Sequence, residues 1–399
     1  MAAFQWKPLL LACMIVSIGQ LSLGLIFPSL PWIAQDLSLS TEQVQLLVSG
    51  YLLGFGTSQL VYGPLSDVFG RRPVLLSGLL IALFGLSLAI LHAESFSWLL
   101  AGRVIQGMGA GSVAVMARAT IRDSYQSHNL VRAMTWLAIV AALTPIVAPV
   151  IGGMVNHYAG WLAVFMLLLG YIALIWLVLC VNFPESLSVT RRAPSVITLM
   201  KDYSSLARSS HFLSFAGVGW VNFSLVVLSI SLMPFIMQVQ IGMTSEKYAL
   251  WAMIPAFGLM CGGLLCQRIR PKIGTRRMLL IAPWLHLLAG MIFIFSPVEP
   301  AWMIGGNFVL AMANGIAFPC AQSLSLVPYG DKAGTVSALS GACQMVFASL
   351  FSNTLLKVGI SQPWQLGGVM LLGAGIGFGL AFFGTQTESG RQAVATLNG

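Results

Sequence analysis

The chain has 399 residues, of which 57% are hydrophobic and only 8% are Asp, Glu, Lys or Arg. Soluble proteins carry about 25% charged residues, so this composition excludes a soluble enzyme, a nucleic-acid-binding protein, a disordered chain and a secreted disulfide scaffold. The formal net charge of +9 does not revive nucleic-acid binding, because the basic residues fall in short connections between apolar runs.

A polytopic helical membrane protein remains, and its 41 glycines and 18 prolines fit that class. A span needs about 20 mostly apolar residues. In chain order twelve segments meet this: 9–31, 43–65, 72–92, 96–118, 131–155, 161–183, 212–238, 247–267, 277–297, 301–325, 334–357 and 364–385. The first is too long for a signal-peptide core and lacks a small-residue cleavage site, so it reads as a membrane helix. The second is preceded by Ser40-Thr41-Glu42-Gln43, a capping box. The longest interruption, 184–211, is polar, carries Arg191, Arg192, Lys201 and Arg208, and divides the chain nearly in half. It reads as a cytoplasmic linker with a short interfacial helix. The domains predicted are a six-helix bundle over 1–183, the linker 184–211, and a second six-helix bundle over 212–399 ending in a short tail.

Lys and Arg set the orientation. With the N-terminus inside, 17 of the 20 basic residues fall in inside segments, from Lys7 through Arg71, Arg72, Arg118, Arg122 and Arg132 to Lys332 and Arg391. Both termini are therefore expected in the cytoplasm. Six cysteines sit in apolar surroundings with neither zinc spacing nor a disulfide framework. No metal or cofactor is expected.

The two halves look related. Gly70-Arg71-Arg72-Pro73-Val74-Leu75-Leu76 follows the second span, and Gly274-Thr275-Arg276-Arg277-Met278-Leu279-Leu280 follows the eighth, the same place in its half. The sharper signal is the longer stretch Gly63-Pro64-Leu65-Ser66-Asp67-Val68-Phe69-Gly70-Arg71-Arg72-Pro73. Gly63 would let the second span approach a neighbour, and Gly70 would permit a tight turn. Arg71 and Arg72 would pair with Asp67, lipid phosphate or a neighbouring helix C-terminus.

The fourth span holds Arg103-Val104-Ile105-Gln106-Gly107-Met108-Gly109-Ala110-Gly111. A charge buried there costs at least ~2.5 kcal/mol, so a role is the default reading. The alternative is a side chain that snorkels to the interface. Gly107 and Gly111 form a small-xxx-small pair. In the fifth span Pro145, Pro149, Gly152 and Gly153 predict a kinked, closely packed helix.

Together these stretches resemble the major facilitator superfamily. The first resembles the family's loop signature G-x-L-x-D-x-x-G-R-[RK], the second its R-x-x-Q-G-x-G motif, and the third its antiporter motif G-P-x-x-G-G, with Ala148 in place of one glycine. Phe183-Pro184-Glu185-Ser186 looks like the family's L-P-E-T ending. The whole chain is similar to drug/proton antiporters of the bicyclomycin/chloramphenicol-resistance branch. The resemblance implies an all-α fold of twelve transmembrane helices in two pseudo-symmetric six-helix bundles, with a midplane substrate site. It assigns gating or coupling to Gly63, Asp67, Gly70, Arg71, Arg72, Arg103, Gln106, Gly107, Arg118, Pro145, Pro149, Gly152 and Gly153. The helices that line the cavity in this family place Gln20, Phe27, Tyr51, Gln59, Trp220, Asn222, Phe223, Phe235, Gln238, Trp251 and Asn314 as substrate-binding candidates. Each aromatic among them could equally serve helix packing. The roster is uncharged and aromatic, which suits hydrophobic or cationic aromatic compounds.

One departure is plain. Many exporters of this branch carry an acid in the first helix, where this chain reads Gly24-Leu25-Ile26-Phe27-Pro28. None of the eleven carboxylates lies deep in a span. Asp36, Asp67 or Arg103 with a neighbour could substitute as the proton carrier. His286 is titratable, but the ninth helix is peripheral in this fold, so it reads as structural or lipid-facing. The expectation is a monomeric, multi-pass exporter of the bacterial inner membrane, driven by the proton gradient. The alternative is an uncoupled facilitator, or a proton-linked transporter of a small neutral metabolite. No HExxH, GxSxG or intramembrane His/Asp constellation supports an enzyme.

Overall fold

The computed structural model describes residues 4–185 and 196–387. Ser186, Arg191, Arg192 and Arg391, used above, lie outside the described residues, and Lys332 outside those with described side chains. The chain divides into two compact units, Met1–Val196 and Ile197–Gly399.

In the first unit the opening span is broken. Helix α1 (Trp6–Gly24) gives way to a 3-10 turn over Phe27–Ser29 and then to α2 (Leu30–Asp36). Pro28 and Pro31 each remove a backbone donor, which is why the helix cannot run through. The second span is α3 (Thr41–Phe69), opened by the predicted capping box of Ser40 and Gln43. Helices α4 (Arg71–Leu91) and α5 (Phe96–Ser124) follow. Helix α6 (Ser127–Asn182) contains the fifth and sixth predicted spans, joined at Gly160, whose φ of 80° marks the boundary between them. With that division the eleven long apolar helical stretches among the described residues account for all twelve predicted spans to within two residues at their ends.

The 12-residue α7 (Val196–Ala207) lies within the predicted linker and is not a span. The second unit continues with α8 (Ser210–Pro234), whose end opens into a π-helix over Phe235–Gln240 after Pro234. The next span is divided into α9 (Ser245–Trp251) and α10 (Met253–Ile273). Pro255 clashes with a helical carbonyl four residues back, at Trp251, and the break falls there. Helices α11 (Thr275–Phe295), α12 (Pro300–Leu326), α13 (Ala333–Lys357) and α14 (Pro363–Gln386) complete it.

The internal repeat holds at the level of single contacts. Gly70 and Gly274, 204 residues apart, both take a left-handed φ, 96° and 86°, with ψ of 156°. A side chain on Gly54 would strike the Val104 carbonyl, and one on Gly258, the position equivalent to Gly54, would strike the equivalent Phe308 carbonyl. Gly111 and Gly315 are likewise equivalent, packed on the carbonyls of Phe55 and Leu259. Without glycine these helix pairs could not approach to backbone contact, which is how membrane helices associate when burial from water offers no driving force. Cys266 and Cys320 lie 3.5 Å apart, sulfur to sulfur, across α10 and α12, a pairing the sequence spacing gave no sign of.

Candidate functional site

Arg103 is fully buried in the first unit, so the snorkelling alternative is excluded. Its guanidinium is held by three helices. Nε donates to the Leu47 carbonyl of α3 at 3.2 Å, and Nη1 to Gln106 Oε1 one turn along α5 at 2.6 Å. Nη2 donates to the Ser22 carbonyl of α1 at 3.2 Å. That carbonyl is released by the break in the first span, because the Ile26 N–H turns to Leu23 instead. Gln106 Nε2 reaches Ser22 Oγ at 3.3 Å, and the guanidinium carbon lies 4.4 Å from the centre of the Tyr51 ring. Among the described residues no carboxylate pairs with the guanidinium. Carbonyl dipoles and an aromatic face meet it instead, the solvation a buried guanidinium requires. Gly107 makes this possible, since a Cβ there would strike the Tyr51 carbonyl and push α3 away.

A second cluster forms where α3, α4, α5 and the end of α6 converge. Arg71 pairs with Asp67 at 2.7 Å and Asp123 at 3.1 Å, and donates to Ser66 Oγ. The N–H groups of Arg71 and Arg72, free at the start of α4, donate to the Glu185 carboxylate at 2.9 and 3.1 Å. Arg72 Nη2 donates to the Cys180 carbonyl in the last turn of α6 at 2.6 Å, the helix C-terminus pairing expected from sequence. The sequence places neither Asp123 nor Glu185 in this cluster, because nothing local ties either acid to Arg71. Gly70 sits beneath Glu185, and a Cβ there would strike the carboxylate. Gly63 differs from expectation: a Cβ there would meet nothing within 4 Å, so no close helix approach depends on it.

The fifth span packs on the break in the first. A Cβ on Gly152 would strike the Leu25 carbonyl, and one on Gly24 would meet Ala148. Pro145 and Pro149 stand inside α6 beside this contact, and Gly153 is buried.

The second unit holds a buried polar chain instead of a charge. His286 Nε2 bonds to Asn222 Oδ1 at 2.7 Å, and Asn222 Nδ2 donates to Asn314 Oδ1 at 2.8 Å. His286 is therefore not lipid-facing, contrary to one branch of the sequence reading; it turns inward from α11 to α8 and α12. Ser229 Oγ bonds to Asn307 Oδ1 at 2.5 Å nearby on the same helix pair.

The remaining candidates are dispersed. Gln20 and Arg118 are exposed, and Phe27 is buried in the 3-10 turn. Gln59 is buried and donates to the Phe55 carbonyl of its own helix. Trp220 donates to the Ser340 carbonyl at 3.1 Å, and Gln238 accepts from Ser245. Phe223 and Phe235 are half-buried, and Trp251 packs against the apolar core of the second unit. Among the described residues no group of His, Cys, Asp and Glu could hold a metal ion.

The sequence matches the profile of the Major Facilitator Superfamily over residues 11–352. The chain belongs to the major facilitator superfamily. It is 30% identical over 385 residues to an uncharacterized MFS-type transporter, YdgK, of Bacillus subtilis, covering 94% of each chain. It is 27% identical over 368 residues to multidrug resistance protein D of Escherichia coli, covering 91% of this chain and 92% of that one. Among solved structures, the nucleoside transporter NupG superposes with a TM-score of 0.74 at 13% identity, over 95% of this chain and 99% of that one; this likeness concerns the fold. The protein is an all-α, multi-span membrane transporter of this superfamily, and not an enzyme. Its relatives include multidrug resistance proteins.

Proposed function

We propose that this transporter exports hydrophobic or cationic aromatic compounds across the bacterial inner membrane, in exchange for protons, by alternating access. The reading places both termini in the cytoplasm and has the protein act as a monomer. The observation that carries it is the Arg103 site: a permanent charge buried within a span, held by carbonyls from two other helices and by Tyr51, beside a first span broken against Gly152. A fixed charge set on a helix break is a means of making helix packing sensitive to a second charge entering or leaving the protein. The similarity to multidrug resistance protein D supports the substrate class.

A second reading, an uncoupled facilitator, is favoured by one observation. Apart from Asp202 on the short α7, the described carboxylates stand in connections or within a turn of a helix end. Inverted membrane vesicles energised to an acid interior and carrying a pH dye separate the two. Adding ethidium should dequench the dye in the wild type, and less so in a folded Arg103→Ala. Ethidium movement without dequenching would instead establish the facilitator.

A further inference from the structure

The buried polar chain of the second unit has a direction. Asn222 Nδ2 donates to Asn314 Oδ1 at 2.8 Å, which turns Asn222 Oδ1 toward His286 as an acceptor. Histidine Nε2 must then carry the hydrogen, and Nδ1 is left with its lone pair. That Nδ1 is buried and has no hydrogen-bond partner. A buried imidazole nitrogen whose lone pair meets no donor can take one proton only at the cost of burying a cation, so its protonation is tied to the packing around it.

No neighbouring charge competes for that proton. On α11 the other titratable residues are Arg276 and Arg277, at its far end. Helix α14 carries none. On α8 the only other is His211, which faces the Leu324 carbonyl. On α12 it is Cys320, which faces Cys266 of α10. The rest of α10 carries Cys261 and, in its last two turns, Arg268, Arg270 and Lys272. Helix α11 can also give way locally. Pro283, within a turn of His286, offers no N–H to the Leu279 carbonyl, and such a site bends more easily than a continuous helix.

We propose that His286 Nδ1 is a proton-binding site, and that its occupancy is linked to drug binding. This rests on the reading of the protein as a proton-coupled exporter and supplies the titratable group that the described carboxylates do not. In the packed state His286 is neutral and donates to Asn222. A proton arriving at Nδ1 creates a cation that no acceptor meets, so the α8–α11–α12 contact must open toward water. Protonation and this packing then oppose each other, and a drug that selects the packing expels the proton.

The test reads ethidium binding to the purified protein in detergent by fluorescence, between pH 8 and pH 5.5. Affinity should fall roughly fivefold or more as the pH is lowered, and binding in weak buffer should release protons to a dye. His286→Gln keeps a donor for Asn222 but takes no proton; it should bind as the wild type does at pH 8, lose the pH dependence and release fewer protons. If that variant does not run as a monodisperse species, His286→Asn carries the same comparison. A pH profile or proton release in the variants equal to the wild type's overturns the proposal and leaves proton-coupled export standing. A wild type that binds ethidium with no pH dependence also overturns it. Vesicles in which ethidium moves without proton exchange overturn the export reading itself, and this proposal with it.

Discussion

Asn307 stands in the second unit where Arg103 stands in the first, at the 204-residue offset that also relates Gly54 to Gly258 and Gly111 to Gly315. Arg103 reaches two other helices, whereas Asn307 accepts from Ser229 and donates to Met303 of its own helix. The repeat preserves the backbone contacts and not the charge. The buried Arg103 charge belongs to the first unit, and the His286–Asn222–Asn314 chain to the second.

This asymmetry predicts unequal consequences of substitution. Arg103→Lys keeps the charge but cannot divide five donors among Leu47, Ser22 and Gln106. Ethidium efflux should fall at least tenfold in Arg103→Lys, with the protein still present in the membrane. Asn307→Ala removes hydrogen bonds of a kind that average about 0.6 kcal/mol within membranes, and efflux should stay within about twofold of wild type. Efflux assays normalised to membrane protein levels check both; equal losses would show that the two positions serve only packing.

The glycines separate in the same way. A Cβ on Gly107 would strike the Tyr51 carbonyl of α3, a backbone atom that cannot move aside alone, whereas one on Gly63 would meet open space. Overpacking of this kind costs about 1–3 kcal/mol. Purified Gly107→Ala should melt several degrees below the wild type in detergent and Gly63→Ala beside it. A Gly63→Ala that melts as low as Gly107→Ala would refute the packing account of both.

Spans and motifs were legible because each is written in one short stretch of residues. Twelve apolar runs, the Ser40–Gln43 capping box and the Arg71–Arg72 loop all announce themselves locally, whereas 9–31 reads as one continuous helix and its break after Gly24 does not. Partners were not legible where they lie far along the chain. Glu185 meets Arg71 across 114 residues, and Asn222 meets His286 across 64. Neither Asp123 nor Glu185, unlike Asp67, has a local pattern that distinguishes it from an ordinary loop carboxylate. The sequence leaves His286 open between a structural and a lipid-facing place for a related reason: its helix is apolar on all sides, so periodicity gives no inward face, and only the amide on α8 shows where the ring turns.

The junction of Gly70 and Glu185 yields a prediction in which two harmful changes partly cancel. Gly70 has a φ of 96°, a conformation costly for any residue with a Cβ, and a Cβ there would also strike the Glu185 carboxylate. Gly70→Ala therefore carries a backbone strain and a clash. Glu185→Ala removes the acceptor for the Arg71 and Arg72 N–H groups at the start of α4, where a negative charge is favourable. In the double variant the backbone strain and the lost acceptor remain, but the clash has gone. Its melting temperature should fall by less than the two single losses combined, as expected for residues in contact. Thermal unfolding of the four purified proteins closes the cycle. Strictly additive shifts would mean that the cost at Gly70 is conformational alone, and that the carboxylate moves aside freely when a methyl group is placed beneath it.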